Sequence, residues 1–303
     1  MKVYLIILNW NGKKDTISCL KSVQKLKTDN FELKIVVVDN GSSDSSVDEI
    51  SQFKSKYEIK IIENKKNLGF AGGNNVGIRY ALKNKADYIL VVNNDTTLDE
   101  DLIVYLIKAA EKYKDGGAFS PKIYFSKGFE YHKDRYKSNE LGRVIWAAGG
   151  LIDWKNVYGI NRGVDEVDVG QYDKTEEIDF CSGACVLYRA KALLKVGIYD
   201  ERYFAYYEDA ELSTRMIRRK WKNYYVPKAN LWHKVSQSSG IGSSLNDYFI
   251  TRNRLLFGMK YAPYRSRFAL IREAFKLLFK GRIWQRTGVI DYISGNFYLG
   301  SWR

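Results

Sequence analysis

Short apolar runs and segments with helical spacing of apolar residues follow one another along the first 120 residues. This pattern predicts short strands separated by helices. Apolar runs rich in Val and Ile predict buried strands at 3–8, 33–38, 59–62 and 88–92. The helical spacing of apolar residues predicts helices near 13–26, 45–57, 72–84 and 98–113. This repeated order predicts a doubly wound, mostly parallel α/β sheet of Rossmann-like type, on which ligands gather at the carboxyl ends of the strands.

The remainder of the chain is less regular, and we divide it into two parts. Residues 121–245 are expected to complete the same domain, with a strand at Ala184–Tyr188 and a helix that starts near Asp209. Residues 246–303 have mostly helical patterns and are expected to form a C-terminal extension. The 303 residues, 45% of them apolar, suffice for one large α/β domain with an appendage.

The cysteines and the apolar runs predict a cytoplasmic protein. Cys19, Cys181 and Cys185 have no CxxC spacing, so neither a disulfide framework nor a zinc site is indicated. The apolar run at the N-terminus is too short for a signal peptide. No apolar run approaches the roughly 18–20 residues of a membrane span.

The net charge of +14 favours a polyanionic partner, and residues 251–303 carry most of it, with eleven Lys and Arg against two acids. A nucleic-acid partner is not expected, because no RNP-type, zinc-finger or helix-turn-helix motif is present. Within residues 265–286, Phe268, Phe275 and Phe279 have helical spacing beside basic residues. Such a helix can lie on a membrane surface or pack on the domain, and periodicity leaves both interpretations open.

Polar clusters follow three of the predicted strands. They are Asn9-Trp10-Asn11-Gly12, Asp39-Asn40-Gly41-Ser42 and Asn93-Asn94-Asp95. Each one alone is ordinary turn chemistry, but three on one sheet edge favour a shared ligand. Asp95 can bind Mg²⁺ or Mn²⁺ through a hard oxygen, or it can simply cap the following helix.

Three further segments carry candidate chemistry, each beside a structural alternative. The glycines of residues 67–75 lead into a helix and favour either an anion site or a plain loop, without a GxGxxG or P-loop pattern. Glu208-Asp209 follows an aromatic run and is either a helix start or a desolvated base. His233, one of two histidines, is either structural or a second metal ligand.

Taken together, these segments resemble family 2 glycosyltransferases of the GT-A fold, most nearly the rhamnosyltransferase-type enzymes of bacterial surface polysaccharide synthesis. The resemblance covers roughly residues 1–260. The matching segments are LNWNG at 8–12, VVDNGSSD at 37–44, NLGFAGGNN at 67–75, VNNDT at 92–96, SGACVLYRA at 182–190, YDERYFAYYEDAELSTRMIRR at 199–219, VPKANLWHK at 226–234 and RNRLLF at 252–257.

The resemblance implies an inverting transferase that moves a sugar, with rhamnose as one candidate, from a TDP- or UDP-linked donor to a saccharide or lipid-linked saccharide. Residues 1–120 would form the nucleotide-binding half and residues 121–245 the acceptor half. The implied base is Asp209, with Glu208 beside it. The implied nucleotide contacts are Asn9, Trp10, Asn11, Asp39, Gly72, Gly73, Asn74 and Asn94. The implied sugar and acceptor pocket contains Ser182, Gly183, Ala184 and Trp232.

The implied cofactor is Mg²⁺ or Mn²⁺, held by Asp95 with His233 as a helper. The family's usual Asp-x-Asp metal motif has Asn93 at its first position here. A sugar-1-phosphate nucleotidyltransferase is an alternative, but the glycine-rich, arginine-bearing loop expected after strand one is replaced by Asn9-Trp10-Asn11-Gly12. A homologue that only binds the nucleotide is a further alternative.

Overall fold

The computed structural model describes residues 1–28, 30–235 and 243–302. Within these ranges the chain forms one large mixed sheet, a two-stranded hairpin and helices that cover them. The strands are β1 (Lys2–Asn9), β2 (Glu32–Asp39), β3 (Ile59–Glu63), β4 (Tyr88–Asn93), β5 (Thr96–Leu98), β6 (Gly116–Phe125), β7 (Val144–Ala147), β8 (Gly150–Asp153), β9 (Tyr158–Asn161), β10 (Glu166–Val167), β11 (Glu176–Glu177), β12 (Cys185–Arg189) and β13 (Lys222–His233). The helices are α1 (Lys13–Val23), α2 (Ser46–Ser51), α3 (Gly69–Lys83), α4 (Leu102–Lys112), α5 (Ala190–Val196), α6 (Glu208–Arg218), α7 (Ser244–Tyr261), α8 (Tyr264–Lys280) and α9 (Ile283–Ser294).

The sheet has a parallel half and a mixed half. The strands β3, β2, β1 and β4 are parallel neighbours, as the sequence predicts. Next to them β12 is antiparallel to both β4 and β6, while β13 runs parallel to β6 and carries the short β5. The carboxyl ends of β1, β2 and β4 therefore share one edge, close to the end of β13.

Alternate residues of β1 explain why the parallel strands are continuous apolar runs. Leu5 and Ile7 pack with α1 and α4 on one face of the sheet. Tyr4 and Ile6 pack with α3, α5 and α6 on the other face. Both faces are covered, so no position along the strand is left for a polar side chain until the strand ends.

Two of the predicted helices have different limits in the structure. The helix predicted at 45–57 ends at Ser51, because the following segment turns back to α1, where the backbone N–H of Lys56 donates to Gln24 Oε1 at 2.9 Å. The helix predicted at 98–113 begins only at Leu102, because Thr96–Leu98 pair with β13 instead.

The C-terminal extension has a buried part and an exposed part. Helix α7 packs on residues 121–245, and its Arg252, Asn253 and Phe257 are almost fully buried. Helices α8 and α9 cover α7 but leave large apolar side chains exposed on their outer side. Within the described ranges, no helix combines the length and the apolarity that crossing a membrane requires.

Candidate active site

Hydrogen bonds join two of the three polar strand ends, at β1 and β2, to the loop that follows β4. The amide of Asn9 donates to Asp39 Oδ1 at 3.4 Å, and Asn9 Oδ1 accepts from the hydroxyl of Thr16 at 2.7 Å. Thr16 in turn accepts from the amide of Asn94 at 3.0 Å. Thr16, on α1, is a site residue that sequence reasoning missed, since a lone helical Thr carries no local signal.

The loop after β1 forms the rim of this edge. Asn11 has a left-handed φ of 50°, and its side-chain carbonyl accepts from the backbone N–H of Ser43 at 2.8 Å. Ser42 bonds both Asn9 and the backbone of Asn11, at 3.1 and 2.9 Å. Trp10 stands outward, 55% exposed. The buried Asn9 and Asp39 thus fix the loop after β1, while the ring of Trp10 is exposed to solvent.

The glycines of residues 67–75 have a packing role in this structure. A Cβ on Gly73 would lie 2.4 Å from Leu8 Cδ1, so glycine lets α3 approach β1 closely. The N–H of Ala71, in the first turn of α3, donates to the carbonyl of Phe204 at 3.2 Å. Gly72 and Gly73 are buried inside the helix, and Asn74 donates to the carbonyl of Phe70 at 3.0 Å. The contact of these residues with a nucleotide stays a prediction.

Asp95 and His233 lie side by side, although they are far apart in sequence. Asp95 Oδ1 is 3.0 Å from His233 Nε2, and both side chains are mostly buried. The pairing of β5 with β13 sets this distance, because it places His233 opposite Thr96. The indole of Trp146 meets the imidazole edge to face, with the ring centroids 4.8 Å apart. The two predicted metal ligands are therefore neighbours.

Asp209 opens onto a cavity of about 280 Å³. Its carboxylate accepts from the backbone N–H groups of Gly183 and Ala210, at 2.9 and 2.7 Å. Burial raises the pKa of Asp209 above its ordinary value. The residues that line the cavity are Trp146, Tyr158, Gly159, Asn161, Phe180, Ser182, Tyr206, Tyr207, Asp209, Ala210 and Ile250. A carboxylate whose proton affinity is raised, facing an aromatic cavity, is suited to act as a base.

Trp146 links the surroundings of the two acids, Asp95 and Asp209. Trp146 lines the cavity of Asp209 and also packs against His233, the partner of Asp95. A second connection runs through residues 183–184: Gly183 bonds Asp209, and the carbonyl of Ala184 accepts from the N–H of Asn93 at 3.0 Å. Ser182 lines the cavity. Trp146 was missed in the sequence because its short strand lies within a region without clear periodicity.

Trp232 lies elsewhere than predicted. Neighbouring residues of a strand face opposite sides, so Trp232 points away from the side on which His233 meets Asp95. Its indole N–H donates to the carbonyl of Gly142 at 2.9 Å, and its ring stacks on Tyr124. It is not among the residues that line the Asp209 cavity, where Trp146 is the tryptophan present.

Glu208, which was predicted to assist Asp209, is buried beside it. Burial first, and then the negative charge of Asp209, raise the pKa of Glu208 well above its ordinary value. Its Oε2 atom has no hydrogen-bond partner among the described residues. The native protein therefore favours the protonated form of this side chain.

Glu208→Gln is expected to stabilise the protein at neutral pH. An unfolded glutamate ionises above about pH 4.3, whereas the folded one resists ionisation, so wild-type stability falls as the pH rises above that value. The glutamine variant lacks this loss and should be more stable by on the order of 1–3 kcal/mol at pH 7.5, with little difference at pH 4. Urea unfolding at both pH values measures this. Glu63→Gln, at an exposed carboxylate, is the control and should show no such gain. An equal or lower stability of Glu208→Gln at pH 7.5 would contradict the assignment.

The mixed sheet, with its parallel half and its polar edge, is that of a glycosyltransferase with the GT-A fold. The sequence profile named Glycosyl transferase family 2 matches residues 4–197, so the chain belongs to that family. The predictions of the fold class and of the enzyme class are therefore confirmed.

Individual relatives agree with this assignment. The chain is 26% identical over 217 residues to an N-acetylglucosaminyl-diphospho-decaprenol L-rhamnosyltransferase of Mycobacterium tuberculosis. The aligned residues make up 69% of this chain and 68% of that protein. It is 25% identical over 240 residues to a poly-beta-1,6-N-acetyl-D-glucosamine synthase of Staphylococcus epidermidis, covering 78% of this chain and 51% of that protein. Among solved structures, the mannosyltransferase PcManGT from Pyrobaculum calidifontis, in complex with GDP-Man and Mn²⁺, superposes with a TM-score of 0.57 at 13% identity, over 97% of this chain and 74% of that one. The likeness to PcManGT establishes the fold alone.

Proposed function

We propose that the protein transfers a sugar, with inversion, from a nucleotide-diphosphate donor to a saccharide acceptor in the synthesis of a surface polysaccharide. The observation that carries the proposal is the placement of the Asp95–His233 pair and the Asp209 carboxylate on either side of Trp146. The side with Asp95 and His233 suits a diphosphate with its metal. The side with Asp209 suits an acceptor hydroxyl.

Asp95 and His233 fit a divalent metal. Asp95 Oδ1 and His233 Nε2 lie 3.0 Å apart, so a carboxylate oxygen and an imidazole nitrogen would be close enough to hold the same ion. Within the described residues no group of three or more His, Cys, Asp and Glu is available for a metal, so the donor phosphates and water would complete the shell. When bound, the ion stabilises the negative charge on the leaving diphosphate.

Asp209 supplies the base. It removes the proton of the acceptor hydroxyl, whose oxygen forms the new bond to the anomeric carbon as the bond to the diphosphate breaks. Among the described residues that line the cavity, Asp209 is the one carboxylate, so no second acid is present to act as a nucleophile. A single displacement inverts the configuration at that carbon. Asn9, Asp39 and Trp10 hold the nucleotide in this proposal, since they occupy the edge next to Asn94 and Asp95.

The acceptor is proposed to be lipid-linked, because the rhamnosyltransferase relative acts by its name on a sugar-diphospho-decaprenol. The test is a thermal-shift screen of UDP-, TDP- and GDP-sugars with Mg²⁺ or Mn²⁺, followed by transfer assays with the donor that binds. A bound donor stabilises only the folded chain and raises the Tm. Failure of every nucleotide sugar to bind would refute the proposal. Release of diphosphate from a nucleoside triphosphate and a sugar 1-phosphate would instead favour a nucleotidyltransferase.

The outer side of α8 is proposed to rest on an anionic membrane at the cytoplasmic side. Tyr264, Phe268, Phe275 and Phe279 are 86%, 78%, 64% and 66% exposed and follow one another at helical spacing. Basic side chains flank them at 265, 267, 272, 276 and 280. An apolar stripe bordered by cations is the composition of a helix that lies in the headgroup region of an anionic bilayer.

Phe268→Ser with Phe279→Ser is expected to weaken binding to vesicles that contain anionic phospholipid by on the order of 10-fold or more, because both rings would lose their burial in the bilayer. Co-sedimentation measures the bound fraction. The matched control replaces Val169 and Leu194, which are 80% and 73% exposed elsewhere on the chain, by serine and should leave binding unchanged. Equal binding of both double variants would show that α8 is not the membrane surface.

A further inference from the structure

The segment Tyr203–Tyr207, directly before Glu208 and Asp209, has an unusual backbone. Phe204, Tyr206 and Tyr207 all have positive φ, at 59°, 67° and 72°, although none of them is glycine. The N–H of Ala205 donates to the carbonyl of Tyr203 at 2.6 Å, which closes a tight turn around Phe204. For a residue other than glycine such a conformation is strained, because the Cβ atom approaches the backbone too closely. The segment keeps this form only because its surroundings hold it.

Asn253 of α7 bonds most of the segment. Its side-chain Nδ2 lies 2.7 Å from the carbonyl oxygen of Tyr203, 2.7 Å from that of Ala205 and 2.9 Å from that of Tyr206. Asn253 is fully buried. The two N–H bonds of this one amide are therefore shared among three main-chain carbonyls that would otherwise have to turn towards water.

Arg252 supports the same segment from the next position of α7. Its guanidinium donates to the carbonyls of Arg202 and Tyr203, at 3.1 and 3.3 Å. It is fully buried, and it donates to the hydroxyl of Tyr248 at 3.2 Å, which itself bonds Asp291 of α9. The C-terminal extension thus fixes the position of Arg252 through Tyr248 and Asp291, and Arg252 in turn bonds the start of the 203–207 segment.

Arg254 contacts Tyr158, another aromatic residue that lines the Asp209 cavity. It stacks on Tyr158 with the guanidinium 4.1 Å from the ring centroid, and it bonds the carbonyl of Asn156 at 2.7 Å and Glu273 at 2.7 Å. Tyr158, Tyr206 and Tyr207 all line that cavity. Asn253 therefore bonds one residue of the cavity lining, Tyr206, and Arg254 packs on another, Tyr158.

We propose that Asn253, supported by Arg252, is a positioning residue of the transfer reaction, which holds Tyr206, Tyr207 and the first turn of α6 so that Asp209 faces the acceptor. This inference rests on the proposed function. Without the amide, the three positive-φ residues are expected to relax towards ordinary conformations, because Arg252 bonds only the carbonyls of Arg202 and Tyr203 and leaves those of Ala205 and Tyr206 without this support. The first turn of α6 would then rotate and displace Asp209 from the acceptor, and a displacement of about 1 Å can cost on the order of 100-fold in rate.

The test compares Asn253→Ala with Asn223→Ala. Asn223 is an equally buried amide that donates to two main-chain carbonyls, those of Asp179 and Ser213, outside the 203–207 segment. Asn253→Ala is expected to lower kcat on the order of 10–100-fold with donor Kd and donor KM within about twofold. Asn223→Ala should lose stability to a similar degree but keep kcat. Asn253→Ser retains one O–H donor, so its kcat should lie between those of the wild type and Asn253→Ala. The serine variant replaces the alanine variant in this test if the latter does not fold.

A kcat of Asn253→Ala or Asn253→Ser equal to that of Asn223→Ala would overturn the proposal, and so would a loss that appears equally in donor binding. A wild-type chain that transfers no sugar refutes the proposed function and takes this inference with it. An active wild type with an insensitive Asn253 refutes the positioning role alone.

Discussion

Asp209→Asn is expected to abolish sugar transfer and to leave donor binding intact. The amide has the shape of the carboxylate and can still accept from the N–H of Gly183, but it cannot take up the proton of an acceptor hydroxyl. General-base catalysis contributes roughly 10²–10⁴ in rate, so kcat should fall by that factor. Steady-state transfer assays, together with donor titration of the variant, measure both quantities.

The control for Asp209 is Asp168→Asn. Asp168 is also a buried carboxylate, and it bonds Lys122 and Tyr124 away from the cavity. Its loss should lower the free energy of unfolding and spare kcat. Transfer by Asp209→Asn at more than a tenth of the wild-type rate would exclude this residue as the base.

The pH dependence of the wild type gives a second measure of Asp209. A base works in its ionised form, so activity is present above its folded pKa and is lost as the pH falls through that value. Because burial raises the pKa of Asp209, the acidic limb of kcat/KM should lie above the value of about 3.9 typical of an exposed aspartate. A limb at or below pH 4 would contradict the assignment.

Asp95→Ala is expected to remove the metal dependence of donor binding. His233 would remain as a single imidazole ligand, which is too weak to hold a hard divalent ion against water. We expect kcat/KM to fall on the order of 100-fold or more, since the leaving diphosphate would lose its counter-charge. Donor titration with Mn²⁺ and with EDTA gives a large difference for the wild type and none for the variant.

Asp15→Ala is the matched control for Asp95. Asp15 pairs with Lys234, the residue after His233, at 2.6 Å, so it lies near the site without belonging to the metal pair. Its variant should keep the response to Mn²⁺. If Asp95→Ala responds to Mn²⁺ as the wild type does, the Asp95–His233 pair is a structural ion pair and not a metal site.

Much of the parallel half could be predicted because its signals are local. The strands β1, β2 and β4 are each an apolar run that ends in a polar cluster, and burial on both faces of a sheet produces that pattern directly. Helix α6 likewise starts where Glu208-Asp209 follows the aromatic run. The glycines of α3 were harder to interpret, since the close approach of Gly73 to Leu8 and an anion site leave the same sequence pattern.

The sequence by itself determined the order of strands and helices in the parallel half, the polar strand ends and the family, because these depend on side-chain spacing and on runs of matching residues. Only the tertiary structure decided which distant residues meet. The pairing of β5 with β13 brings His233 to Asp95, and the packing of α7 brings Asn253 to the segment before Asp209. Strand order and register set such contacts, and a shift of one residue along β13 would replace His233 by Trp232 at the metal pair.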